Sequence, residues 1–157
     1  MLFRSASGAL KNFSFEIIAT DLNERSVARA QEALYNEYAV RNMTPAQRSK
    51  YLTKLDEQWH VQDPVRSKVR ITRVNLLDDT RMLFMKGMDV IFCCNVLIYF
   101  DGASKRRVIQ HFYNNLLPNS YLFLGHSESL FGVNDEFRLV HFPGATGYVK
   151  PAQRRTV

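Results

Sequence analysis

Cysteine is scarce: the chain has two, Cys93 and Cys94, adjacent within one apolar run. Neighbouring side chains in a strand point to opposite faces, so the pair excludes a disulfide framework and fits a reducing compartment. Four scattered histidines and that cysteine pair form no recognised metal-ligand spacing. No long apolar segment opens the N-terminus as a signal peptide would, and "MDVIFCCNVLIYF" is too short to cross a bilayer as a helix. Internal repeats and low-complexity tracts are also lacking. These absences lead to the expectation of a soluble cytoplasmic protein with no membrane insertion.

What is present sets the scale. The chain has 157 residues at 46% hydrophobic composition, enough for one domain with a real core. The formal charge of +6 raises nucleic acid, membrane lipid and acidic protein as partners. Basic residues are scattered, however, and the clusters "SKRR" (Ser104 to Arg107) and "QRR" near the end are not interleaved with aromatics. Nucleic acid is therefore not expected. A solvated helix face or an acidic protein partner remain as readings of the charge.

Hydrophobic patterning gives alternating elements. "FEIIAT" (Phe15 to Thr20) is a β-prone run, and "NERSVARAQEAL" (Asn23 to Leu34) has helical composition, with Asp21 and Glu24 in the form of a capping box. "KVRITRVNLL" (Lys68 to Leu77) reads as strand. "MDVIFCCN" reads as a strand buried on both faces of a parallel sheet. "SKRRVIQHFYNNLL" places Val108, Ile109, Phe112, Tyr113 and Leu116 at helical spacing, with Asp101 or Ser104 as cap. "SYLFLGH", "FRLVHF" and "TGYVK" read as further strands. In between, "NMTPAQRSKYL" predicts a short helix opened by Thr44 and Pro45, and "YLTKL" and "QWHVQ" flank Asp56-Glu57 like a hairpin. Strands alternating with helices predict an open α/β sheet, in which ligands lie outside the carboxyl ends of the strands. Polar groups stand at four such ends: Asp21, Asn75, Asn95, and the run His126, Ser127, Glu128.

Taken in order and at their separations, "FEIIATDLNERSVARAQEALY", "VNLLDD", "MDVIFCCNVLIYFD" and "YLFLGHSESL" resemble the CheR-type protein-glutamate O-methyltransferases of bacterial chemotaxis. The resemblance runs from about Phe15 to Lys150, and "FC-x-NVLIYF" followed by "GHSES" is its most specific part. It implies a Rossmann-like sheet that binds S-adenosylmethionine, with S-adenosylhomocysteine as product. It also implies methylation of glutamate side chains on the cytoplasmic helices of methyl-accepting chemoreceptors.

By the same resemblance, Asp21 accepts hydrogen bonds from ribose hydroxyls, Asn75 and Leu76 hold the adenine, Asn95 lies near the methionine portion, and Cys94 lies beside the cofactor or substrate. Tyr99 lines the methyl-transfer site. Residue by residue, plainer readings stand beside these: a helix cap for Asp21, a turn former for Asn75 and a core position for Tyr99. The His126, Ser127 and Glu128 corner is expected to be a network that fixes a loop, not a catalytic group. A glutamate carboxylate is already ionised at neutral pH and a sulfonium is an activated methyl donor, so alignment and desolvation suffice.

The sequence also departs from the family pattern. Cys94 stands where the family usually has Arg, which removes a charged fork of donors. Pro118-Asn119-Ser120 stands where Pro-Gly-Gly is usual, and Asn tolerates the left-handed geometry such a turn needs. "MLFRSASGALKNF" reads as the tail of a helix, while the family's helical N-terminal domain, first strand and glycine-containing loop have no counterpart. The expectation is thus a partial methyltransferase domain over 1–157, with an inserted β-hairpin subdomain at about 50–67 and a sheet lacking its first strand. Strands ending at Asp21 and Asn95 would then carry open edges that favour self-association. A non-catalytic relative that docks on a receptor or signalling partner is the alternative function.

Overall fold

The structure, a computed structural model, describes residues 14–152. The "MLFRSASGALKNF" segment and the terminal "QRR" lie outside the described residues. The described chain falls into two compact units that divide after Asn75.

In the first unit, β1 (Ile17–Asp21) leads into α1 (Glu24–Glu32). Asn23 caps this helix, its side chain accepting from the N–H groups of Arg25 at 2.9 Å and Ser26 at 3.4 Å. The cap expected at Asp21 is corrected. Asp21 is held in the β1 ladder opposite Arg73, too early to reach the first helical turn, and its carboxylate instead accepts the Asn23 N–H at 2.8 Å. The helix stops at Ala33, which is left-handed at φ 58°. It ends short of Leu34, which belongs to a three-residue strand, β2 (Leu34–Asn36).

That strand opens an inserted antiparallel sheet. Thr44 caps α2 (Pro45–Tyr51) through a reciprocal pair: the Gln47 N–H donates to Thr44 Oγ1 at 3.2 Å and the Thr44 N–H to Gln47 Oε1 at 2.8 Å. β3 (Leu52–Leu55) and β4 (Gln58–Val61) form the hairpin, turned by Asp56 at φ 49°, and β2 pairs with the other edge of β4. Trp59 and Arg48 both donate to the Glu37 carboxylate, the Trp59 bond at 2.8 Å. The Trp59 hydrogen bond first, then Arg48, holds the Glu37 carboxyl below the ordinary glutamate range. A short helix α3 (Asp63–Arg66) returns the chain to β5 (Val69–Arg73), which is parallel to β1 from Ile17↔Val69 to Asp21↔Arg73.

The second unit contains α4 (Asp79–Leu83), β6 (Met88–Cys93), a 3-10 turn at Leu97–Tyr99, and α5 (Gly102–Asn115). Asp101 caps α5, accepting the Ser104 N–H at 2.7 Å. β7 (Leu116–Leu124), β8 (Arg138–Phe142) and β9 (Ala145–Val149) complete a sheet of order β6–β7–β9–β8, in which β6 and β7 are parallel and the other pairs antiparallel. The helical stripe Val108, Ile109 and Phe112 is buried, as is Leu122 at the centre of the sheet. Each such side chain stabilises the fold by roughly 1.5–3 kcal/mol. Lys150 donates to the carbonyls of Tyr113 and Leu116, both at 2.7 Å, and so closes the end of α5. Pro118-Asn119-Ser120 forms an irregularity in the β6–β7 register, with Asn119 left-handed at φ 64° and its N–H donating to the Lys150 carbonyl at 2.8 Å.

One expectation for β6 is overturned. Cys93 is buried, but Phe92, on the opposite face, is 44% exposed and stacks on Phe123 with ring centroids 5.0 Å apart. Along the strand only Cys93 is buried; Met88, Val90 and Ile91 are half-buried and Asp89 is exposed. Among the described residues β6 pairs only with β7, and β1 only with β5. No helix among the described residues is long and apolar enough to cross a membrane.

Candidate functional site

The carboxyl ends of the parallel strands are taken one unit at a time. In residues 14–75, Asp21 closes β1, and the Val74 N–H donates to its carbonyl at 3.1 Å, which continues the ladder past β5. Asn75 follows on that same rim and is exposed. Arg73 fixes the turn after β1, donating to the Leu22 carbonyl at 3.0 Å and pairing with Glu24 at 2.5 Å. Only one Asp21 oxygen is committed, to the Asn23 N–H; among the described residues the other has no hydrogen-bond partner. An exposed carboxylate oxygen at a strand end suits a pair of hydroxyl donors.

In residues 76–152 the same rim is built around a carboxylate. β6 ends at Cys93, Cys94 follows, and Asn95 takes the left-handed conformation at φ 59°. An amide in the middle of an apolar run is explained by this turn, because Asn enters that region at less cost than apolar residues. Glu128 reaches across from beyond β7. Its Oε2 accepts the N–H groups of Asn95 and Gly125, both at 2.8 Å, and its Oε1 accepts those of Val96 at 3.0 Å and Leu97 at 2.8 Å. Burial pushes the Glu128 carboxyl up, but these four donors outweigh it and hold its pKa below the ordinary glutamate value.

The side chains carried by this turn face outward. Asn95 is exposed, its side-chain amide has no hydrogen-bond partner among the described residues, and Tyr99 is 82% exposed, so Tyr99 is not a core residue. Desolvation and then the Glu128 charge push the Cys93 thiol up to about 12 and the Cys94 thiol above its usual range. Both therefore stay protonated at neutral pH and supply no thiolate nucleophile. Leu76 is half-buried, and its carbonyl lies 2.8 Å from His111 Nδ1, whose Nε2 lies 2.8 Å from Asp79 Oδ1. Arg107 also donates to Asp79, at 2.6 Å. The Arg107 bond first and His111 second hold the Asp79 carboxyl below the usual aspartate range.

The structure thus brings Asp21 and Asn75 to one rim of the β1–β5 ribbon, and Cys94, Asn95 and Tyr99 to the end of β6. One supporting group escapes sequence reasoning: nothing in the helical stripe singles out His111, though its i, i+4 spacing from Arg107 points both at one partner. Glu128 holds a turn, as expected of its corner, but which amides it meets depends on the parallel pairing of β6 and β7, which no local spacing encodes.

Relatives of this chain carry consistent names. "Chemotaxis protein methyltransferase 2" of Vibrio cholerae is 36% identical over 143 residues, covering 90% of this chain and 50% of that protein. A "Chemotaxis protein methyltransferase" of Borreliella burgdorferi is 35% identical, covering 77% of this chain and 43% of its own length. The chain spans about half the length of these curated relatives. A solved SAM-dependent methyltransferase from Methanosarcina mazei is 14% identical, covering 87% of this chain and 63% of that one at a TM-score of 0.40, too slight a likeness to bear on the site. The family model described as "CheR methyltransferase, SAM binding domain" matches residues 1–145, and the chain belongs to that S-adenosylmethionine-binding family.

Proposed function

We propose that the chain serves transfer of a methyl group from S-adenosylmethionine to glutamate side chains on the cytoplasmic helices of methyl-accepting chemoreceptors, in the cytoplasm. The family match over residues 1–145 carries this reading. Within residues 14–75, the Asp21 oxygen that has no partner among the described residues stands at the carboxyl end of a parallel strand and suits a hydroxyl donor; within residues 76–152, the Asn95 amide stands at another such end and is likewise without a partner among the described residues. Residues 1–157 are read as part of one methyltransferase domain, with the hairpin at about 50–67 as an insert.

The cofactor supplies an activated methyl group on a sulfonium. For their part, Asp21 accepts from ribose hydroxyls, Asn75 hydrogen-bonds the adenine, and Leu76 gives it apolar contact. Asn95 borders the methionine portion, Cys94 lies beside the cofactor or substrate, and the exposed Tyr99 lines the acceptor side. No side chain need act as a base, because the accepting carboxylate is ionised at neutral pH. The net positive charge of the chain favours an acidic partner. Among the described residues β1 and β6 each pair along one edge, and self-association through the other edge is expected to grow with concentration.

Calorimetric titration with S-adenosylhomocysteine tests the reading, with micromolar binding expected and silence at millimolar ligand overturning it. Methyl label that passes to a receptor fragment and leaves in alkali as methanol identifies the ester. A second reading, a docking module without catalysis, is favoured by Cys94, which lacks the charge of the family's Arg. Receptor capture by a chain that binds no S-adenosylhomocysteine would establish it.

A further inference from the structure

The roles proposed above leave Glu128 unused, although it is the most heavily bonded side chain in its unit. Two oxygens accept four backbone N–H groups at 2.8–3.0 Å, three of them from the consecutive residues Asn95, Val96 and Leu97. We infer that Glu128 is a positioning residue for the methyl-donor site: its carboxylate fixes the backbone path that presents Asn95 and Tyr99. The inference rests on the functional reading above.

Three observations carry it. An ionised carboxylate only accepts hydrogen bonds, and both oxygens are occupied, so Glu128 has little capacity left to take a substrate proton or attack a methyl group. Successive N–H groups turned toward one anion are a nest, a backbone shape that an anion stabilises and that splays without it. Asn95 sits at its first position in the left-handed conformation, at φ 59°, which costs Asn less than other L-residues and turns its N–H toward the carboxylate. Finally, the cradle admits no extra atom. A Cβ on Gly125 would lie 2.7 Å from Glu128 Oε2, 2.8 Å from Asn95 Oδ1 and 2.9 Å from the Asn95 nitrogen. Leu97, 3% exposed, pins the far side of the turn in the core, while Asn95 and Tyr99 project outward. Displacing the carboxylate therefore moves exposed side chains and leaves the buried ones in place.

Glu128→Gln keeps the shape but turns one acceptor into a donor, so two of the four N–H groups lose their partner and face another N–H. The expected result is a chain that still folds, by circular dichroism and thermal unfolding, with S-adenosylhomocysteine binding weakened about tenfold or more. Glu128→Asp, which keeps the charge on a shorter arm, should fall between the two. A folded Glu128→Gln variant with wild-type affinity, even one with a lowered unfolding midpoint, overturns the inference and leaves Glu128 a purely structural group. Should Glu128→Gln not fold, amide hydrogen exchange of the wild-type chain decides. S-adenosylhomocysteine should slow exchange at Asn95, Val96, Leu97 and Gly125, and equal rates with and without it overturn the inference. A wild-type chain silent to the ligand overturns the functional reading, and this inference with it.

Discussion

Replacing Glu128 with alanine removes the single acceptor for the N–H groups of Asn95, Val96, Leu97 and Gly125. A hydrogen bond to a charged group stabilises by about 1.5–3 kcal/mol, but the loss is smaller than all four bonds together. Asn95 is exposed and its N–H returns to water, and removing the carboxylate also removes the cost of partly burying it. Val96 is half-buried and Leu97 is 3% exposed, so their N–H groups stay dry and unpaired unless the turn moves. At about 1–3 kcal/mol for each unsatisfied group, the expected destabilisation is about 2–5 kcal/mol. Urea unfolding at neutral pH reads it as a midpoint lowered by about 1–2.5 M, at a slope of about 2 kcal/mol/M. The pH dependence adds a second reading. Because the folded pKa lies below the ordinary value of 4.5, the stability from Glu128 is complete above pH 4.5 and is lost as pH falls through the folded value. The gap between wild type and variant should narrow in acid without vanishing, because a protonated carboxyl still accepts hydrogen bonds. A loss under about 1 kcal/mol at neutral pH, or a gap that does not narrow in acid, refutes the reasoning.

Leu122→Ala empties a fully buried site in the strand between β6 and β9, where ladders on both sides resist collapse, and should cost about 3–5 kcal/mol in denaturant unfolding. Gly147→Ala would place a Cβ 2.8 Å from Phe123 Cε1 and 3.3 Å from Phe142 Cε2, and overpacking of this kind should cost about 1–3 kcal/mol by thermal unfolding. Cys94→Arg restores a fork of donors at an exposed position and should tighten S-adenosylhomocysteine binding about tenfold; unchanged affinity would place residue 94 away from the ligand. Asn95→Gly keeps the left-handed turn while deleting the amide, so the unfolding midpoint should hold while ligand affinity falls about tenfold. A lowered midpoint with unchanged affinity would reverse that assignment.

Elements with a long period were legible before any coordinates. The stripe Val108, Ile109, Phe112 repeats at helical spacing, and Thr44-Pro45 and Asp101 are caps whose chemistry is local. β2 was not legible, because three residues are too few to show a period of two and its partner Trp59 is far along the chain. Asp21 and Asn23 are both good caps by residue type, and the choice between them fell to the length of the β1–β5 ladder, a tertiary quantity. β6 looked buried on both faces because an apolar run carries no mark of which face meets the core.

The same distinction runs through the site. Asp21, Asn75 and Asn95 stood out because polar residues ending apolar runs are visible in one dimension. The arrangement at Asn95 has three parts that only make sense together: a left-handed residue, a glycine that leaves room for it, and a carboxylate to receive the amides it turns inward. Each is unremarkable alone, since Asn visits left-handed turns, Gly125 ends a strand and Glu128 could lie in solvent. Their dependence arises from the parallel register that sets Cys93 opposite Leu124 and so brings the residues following each strand within reach. A one-residue slip in that register would separate Glu128 from all three amides, which makes strand pairing, and not the chemistry of the turn alone, the condition for presenting Asn95.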